Sequence, residues 1–114
     1  MRPLSYEERF LIARFAEKLS GARREQLLSD ASHATAEAIA TDGSRIIFNL
    51  ADYHRPPYRG QHSFGVEGRM LDTDEAELSV CLYADENGRL LELEFIRWDS
   101  TTLLGPRRDT LKVF

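Results

Sequence analysis

At 114 residues the chain fits one domain, spanning 1–114, and is too short for two independent cores. Its 42% apolar and 10% aromatic content excludes a disordered chain and points to a folded core. The formal net charge is −4, and residues 66–99 hold ten acids against three arginines, a balance that opposes a phosphate backbone and suits a basic partner.

Ser5 through Leu19 reads as the first helix. Ser5 with Glu8 three residues on is a capping-box pattern, and Leu4, Leu11, Ile12, Phe15 and Leu19 recur at helical spacing. Gly21 is expected to stop it. Ala22–Asp30 reads as a second, shorter helix carrying Leu27 and Leu28. His33–Thr41 and Arg45–Phe48 then flank Asp42-Gly43, a hairpin signal.

Leu50–His62 contains Pro56 and Pro57, which give no ladder hydrogen bonds, so a long surface loop is expected there. Phe64–Leu71, Glu77–Tyr83 and Arg89–Trp98 read as three successive strands, with turns at Asp72–Glu75 and Asp85–Gly88. Thr110–Val113 offers a short edge strand. The fold class is α+β: two N-terminal helices packed on one face of an antiparallel sheet of about five strands.

The last hairpin carries the functional signal. If it closes at Asn87-Gly88 with Glu86 opposite Arg89, then Tyr83 faces Glu92, Cys81 faces Glu94, Ser79 faces Ile96 and Glu77 faces Trp98. Leu78, Val80, Leu82, Leu91, Leu93 and Phe95 form the core side. The other side presents Glu77, Tyr83, Glu92, Glu94 and Trp98, expected to be partner-binding residues because carboxylates beside an indole and a phenol suit a protein interface. The competing expectation is a solvated face whose Trp98 lies under the tail or the Pro-Pro loop.

Little else points to chemistry. His33, His54 and His62 have no metal-ligand spacing, and one cysteine excludes a disulfide framework and a Cys-cluster zinc site. Cys81 opposite Glu94 lacks the electropositive setting of a catalytic thiol. Glu92 and Glu94 share a flat face, without the pocket that separates an acid from a base. No phosphate-binding glycine loop is present. No catalytic residue, cofactor or metal is therefore expected. The Tyr53–Arg59 loop mixes aromatics with cations, but two arginines beside an acidic sheet make direct nucleic-acid binding a poor fit. Arg9 and Arg14 interrupt the only apolar run near the N-terminus, and no stretch approaches the roughly 20 residues of a membrane span, so a cytoplasmic location is expected.

Two resemblances add to this reading. Arg2-Pro3-Leu4-Ser5 followed by Glu8, with Val80-x-Leu82-x-x-Asp85-x-x-Gly88-x-Leu90-x-Glu92-Leu93, resembles a small bacterial family of uncharacterised domains that begin Arg-Pro-Leu-(Ser/Thr) before a glutamate-rich helix. It covers the two ends of the chain and brings no catalytic residues with it. In size, acidity and layout the chain is also similar to the immunity proteins of contact-dependent growth inhibition systems, which bind and neutralise one cognate toxin domain, frequently a basic nuclease. That likeness implies a toxin domain as partner and occlusion as mechanism. The alternative expectation is a stand-alone small-ligand-binding or regulatory domain.

Overall fold

The Ser5 hydroxyl accepts the Glu8 N–H at 3.2 Å, and the Glu8 carboxylate accepts the Ser5 N–H at 2.7 Å. Two of the free donors at a helix start are thereby met reciprocally. The computed structural model describes residues 1–114. In chain order it contains β1 (Arg2–Pro3), α1 (Tyr6–Ala16), α2 (Gly21–His33), β2 (Ala34–Ala38), β3 (Arg45–Leu50), β4 (His62–Ser63), β5 (Gly68–Leu71), β6 (Glu77–Ala84), β7 (Leu90–Arg97) and β8 (Arg107–Val113).

The helices differ from expectation at the junction between them. The Arg24 side chain donates to the carbonyls of Ala16 and Glu17, both at 3.0 Å, and so caps α1 three residues before Leu19. Gly21 opens α2 rather than ending α1, with a left-handed φ of +55°. The second helix runs on past Asp30 to His33.

The sheet is antiparallel and has eight strands, against about five expected. The additions are β1 and β4, two residues each, and β8, which is longer than the short edge expected. Two-residue strands carry no readable period. The order is β1-β2-β3-β7-β6-β5-β8, with β4 also paired to β6. Pairing β3 with β7 brings the N-terminal hairpin beside the C-terminal one. Phe64–Val66 lies outside the strands, where Gly65 takes φ +81°.

Leu11, Ile12, Phe15 and Leu27 pack with Ala36, Phe48, Leu78, Val80, Leu82 and Leu93 in one buried cluster. Both helices therefore cover the same face of the sheet, and the opposite face has no helical cover. The Phe15 ring lies directly over Gly68, where an added Cβ would stand 2.8 Å from Phe15 Cζ and 2.9 Å from Val80 Cβ.

The hairpin register agrees with expectation from Leu78↔Arg97 to Tyr83↔Glu92 and departs at the turn. Asp85, not Glu86, faces Arg89: its N–H donates to Arg89 O, and Gly88 with φ +76° closes a three-residue loop. The irregularity between Tyr83 and Ala84 sets Leu90 opposite Ala84. Leu90 consequently enters the core, and Leu91, expected there, stays outside the core cluster.

Gly68→Ala is expected to lower unfolding stability by about 1–3 kcal/mol through overpacking against Phe15, measured by urea denaturation. Wild-type stability in this variant would show that the helix layer yields easily at this point.

Candidate protein-docking face

The ladder registers lay out the helix-free face in rows. One row is Glu37, Ile47, Glu92, Tyr83 and Ser63; the next brings Arg45, Glu94 and Cys81 together, then Glu67 and Phe114. Ile96, Ser79, Arg69 and Lys112 form the third, and Glu77 with Leu71 the fourth. Trp98 joins the end of this face. Its N–H bonds Glu77 O, its indole Nε1 donates to Ser79 Oγ at 3.0 Å, and Arg69 stacks 4.8 Å from its ring centroid.

Four of the five expected residues, Glu77, Tyr83, Glu94 and Trp98, lie at least partly open on this one face. Trp98 is 50% exposed and Ile96 43% exposed. Neither the tail nor the Pro-Pro loop seals the indole. Tyr83 is half-buried, and burial, with Cys81 and Glu94 adding to it, pushes its phenol well above the ordinary value, so it is a neutral hydroxyl. Burial likewise pushes the Cys81 thiol up, with Glu94 and Glu67 adding to the effect. Cys81 is thus a protonated thiol at neutral pH.

Glu92 is the correction. It is 3% exposed, held by the Arg45 guanidinium fork at 3.0–3.1 Å and by Gln61 Nε2 at 2.8 Å. It cannot present a charge to a partner. Arg45, Gln61 and Arg69 are additions to the expected set. Arg45 stands 47 residues from Glu92 in sequence, so only the β3–β7 pairing reveals the contact.

The acidic stretch is also less acidic in space than in sequence. Asp72, Asp74 and Asp99 all converge on Arg97, at 2.6–3.0 Å. Asp85 is taken by Arg55 and Glu67 by Arg69, both at 2.8 Å. Among the acids of 66–99, Glu75, Glu77 and Glu94 have no cation within ion-pair distance. The free negative charge of the face is therefore Glu77 and Glu94, with Glu37 on the outlying strand β2, not a broad patch.

The loop's aromatic and cationic residues turn inward. Arg55 binds Phe48 O at 2.8 Å, Leu90 O at 2.6 Å and Asp85 at 2.8 Å. Tyr53 donates to Asp85 at 2.7 Å and sits between the guanidiniums of Arg55 and Arg89. Tyr58 and Arg59, with His54, remain outward. His54 and His62 are exposed, His33 bonds Ser29 O, and no three His, Cys, Asp or Glu side chains gather as a metal site.

Beside Trp98 the face opens into a cleft of ≈ 520 Å³ whose walls include Arg69, Leu71, Glu77, Thr110, Lys112 and Phe114. It forms because β8 runs four residues, Arg108–Leu111, against the single residue Met70 of β5. Leu71 N–H bonds Thr110 Oγ1 at 2.8 Å in place of a ladder partner. This irregular edge widens the platform around the indole.

The family described as a domain of unknown function, DUF6984, matches residues 1–106. The chain belongs to that family. The DUF6984 match takes in both helices and the sheet through β7, so the hairpin falls within the shared domain, while the β8 part of the face lies beyond it. No curated protein and no solved structure matches. No helix of this DUF6984 member is long and apolar enough to cross a membrane.

Asp72 is the fully buried carboxylate of this arrangement. Burial alone would raise its pKa, but the N–H groups of Leu104, Gly105 and Thr73 and the Arg97 guanidinium outweigh burial and hold it at about 2, below an ordinary 3.8. A carboxyl depressed on folding adds stability that is present above its unfolded pKa and lost as pH falls through the folded one. The melting temperature is expected to drop as pH goes from about 4 to 2, and Asp72→Asn to flatten that dependence. Arg97→Met should cost about 3–5 kcal/mol at neutral pH by leaving buried Asp72 without its cation. An unchanged melt in Arg97→Met would show that the N–H donors alone suffice.

Proposed function

We propose that the chain is an immunity protein that binds and neutralises a cognate bacterial toxin domain, a nuclease with a basic active-site surface, in the cytoplasm. The half-exposed Trp98 indole carries this reading. A large aromatic left open on an uncovered sheet, pre-set by its bond to Ser79 and its stack with Arg69, is costly to leave in water and well suited to anchor an interface. Ile96 and Tyr83 extend the apolar contact, and Glu77 and Glu94 supply carboxylates with no internal cation. The protein needs no catalytic step, cofactor or nucleic-acid contact of its own: it occludes, pairing those two glutamates with Lys or Arg that the toxin uses on its substrate. Such complementarity speeds association and makes it sensitive to salt.

Glu92 has a different part in this reading from that of its neighbours. Its reversal to Lys would place a second cation against Arg45 in a buried site, and any loss of binding would follow loss of fold. The surface test therefore uses Trp98, Glu77 and Glu94. Against the toxin domain encoded beside its gene, Trp98→Ala should weaken binding by about 30-fold or more. Glu77→Lys combined with Glu94→Lys should slow association and reduce its salt dependence, read by stopped-flow. Wild-type kinetics in both variants would remove this face, and the absence of a neighbouring toxin frame would remove the immunity reading. A second reading, a small-ligand-binding or regulatory domain, has its support in a cavity on the other side of the sheet.

A further inference from the structure

Phe95 occupies a core position by register, opposite Val80, yet it is only partly buried, unlike Leu93 two residues earlier. The reason is a cavity of ≈ 220 Å³ between the helix layer and the sheet. Its floor is Leu11, Ile46, Met70 and Phe95. Its roof is the strap that joins β7 to β8, where Leu104 is 61% exposed at the rim. Two carboxylates hold that strap in place. Asp42 accepts the Leu103 N–H at 3.1 Å, and Asp72 accepts those of Leu104 and Gly105 at 2.9 and 2.6 Å.

We infer that this cavity is a binding site for an uncharged, apolar small molecule about the size of one fused aromatic ring system. The volume sets the size, since an engineered apolar cavity of about 150 Å³ holds benzene. The polar groups set the class. Glu8 at the mouth is closed by Arg2 and Ser5, Asp42 by Ser44 and Leu103, and Arg108 lies against Glu7 and the Tyr6 ring. No buried side-chain polar atom is left without a partner to orient a charged or strongly polar head. A ligand here gains by covering Phe95 and Leu104 and by removing water from an apolar floor. The site lies on the other side of the sheet from the docking face, and Met70 is the one residue that lines both this cavity and the cleft beside Trp98.

The chain has two methionines, so methyl labelling gives a reporter and a control. Met70 lines the cavity and Met1 does not; Met70 also borders the cleft beside Trp98, so the Ile46 and Leu104 variants, which lie in the cavity alone, assign the shift. Indole titrated into the full methyl-labelled chain should shift the Met70 resonance saturably and leave Met1 unmoved. Ile46→Phe fills the floor and should abolish the shift. Leu104→Ser, at an exposed position with no burden on folding, should weaken it several-fold, and Trp98→Ala should leave it unchanged. No Met70 shift up to the solubility of indole overturns the inference. So does an unaltered affinity in Leu104→Ser, or a Met70 shift produced by the toxin domain and not by indole. None of these outcomes touches the Trp98 test, so either reading can fail alone.

Discussion

Each of the five carboxylates that the fold buries has an arginine against it: Arg2 on Glu8, Arg89 on Asp30, Arg97 on Asp72, Arg55 on Asp85 and Arg45 on Glu92. An unpaired carboxylate in these positions would cost several kcal/mol. Paired, all but Arg2–Glu8, whose partners stand six residues apart, become fixed links between segments far apart in sequence. Asp30 ties the end of α2 to the start of β7, accepting both the Arg89 fork and the Leu90 N–H. Asp85 gathers the loop through Tyr53 and Arg55. Asp72 fixes the strap after β7. Buried ion pairs add little net stability over an apolar packing of equal volume, but they penalise every arrangement that separates them. Their role in this fold is to select one placement for loops that bring few apolar residues of their own. Arginine suits that role, because its planar fork meets a carboxylate in two bonds where lysine offers one point charge.

This pairing also changes what composition says about function. A stretch with ten acids and three arginines reads as a negative surface, and in space most of its carboxylates face guanidiniums, some from β3 and the loop. The charge left for a partner is small and local. Under the proposed function, specificity on the helix-free face rests on the indole and its neighbours, with Glu77 and Glu94 steering the approach.

The elements with strong local signals were legible from the sequence. The capping box at Ser5 and Glu8, the hairpin around Asp42-Gly43 and the register of β6 against β7 all depend on residues close in the chain. What was hidden depends on long-range pairing. The extent of the sheet was hidden because β1 and β4 are too short for a period, and the burial of Glu92 because Arg45 and Gln61 reach it from other elements. The turn residue Gly88 was readable, but its three-residue loop shifted the pairing by one at the turn, and that put Leu90 in the core cluster in place of Leu91. The side of the sheet on which Glu77, Tyr83, Glu94 and Trp98 stand followed from alternation alone. That Glu77 and Glu94 lack an internal cation, and that Trp98 is held by Ser79 and Arg69, did not.

Layer geometry explains why the molecule has two open surfaces rather than none. Seven strands along the sheet path span about 29 Å at the usual spacing of about 4.8 Å. Two helices side by side, each about 10 Å across, cover about 20 Å of that width. On the covered face the helices leave open one stretch across β3, β7 and β5, at Ile46, Phe95 and Met70, where a strap forms the roof, and the other face is covered only locally, where Gln61 reaches Glu92. A sheet this wide under two short helices leaves apolar side chains in water unless something else covers them. The exposed indole on one side and the half-open Phe95 on the other are apolar side chains that this arrangement leaves in water.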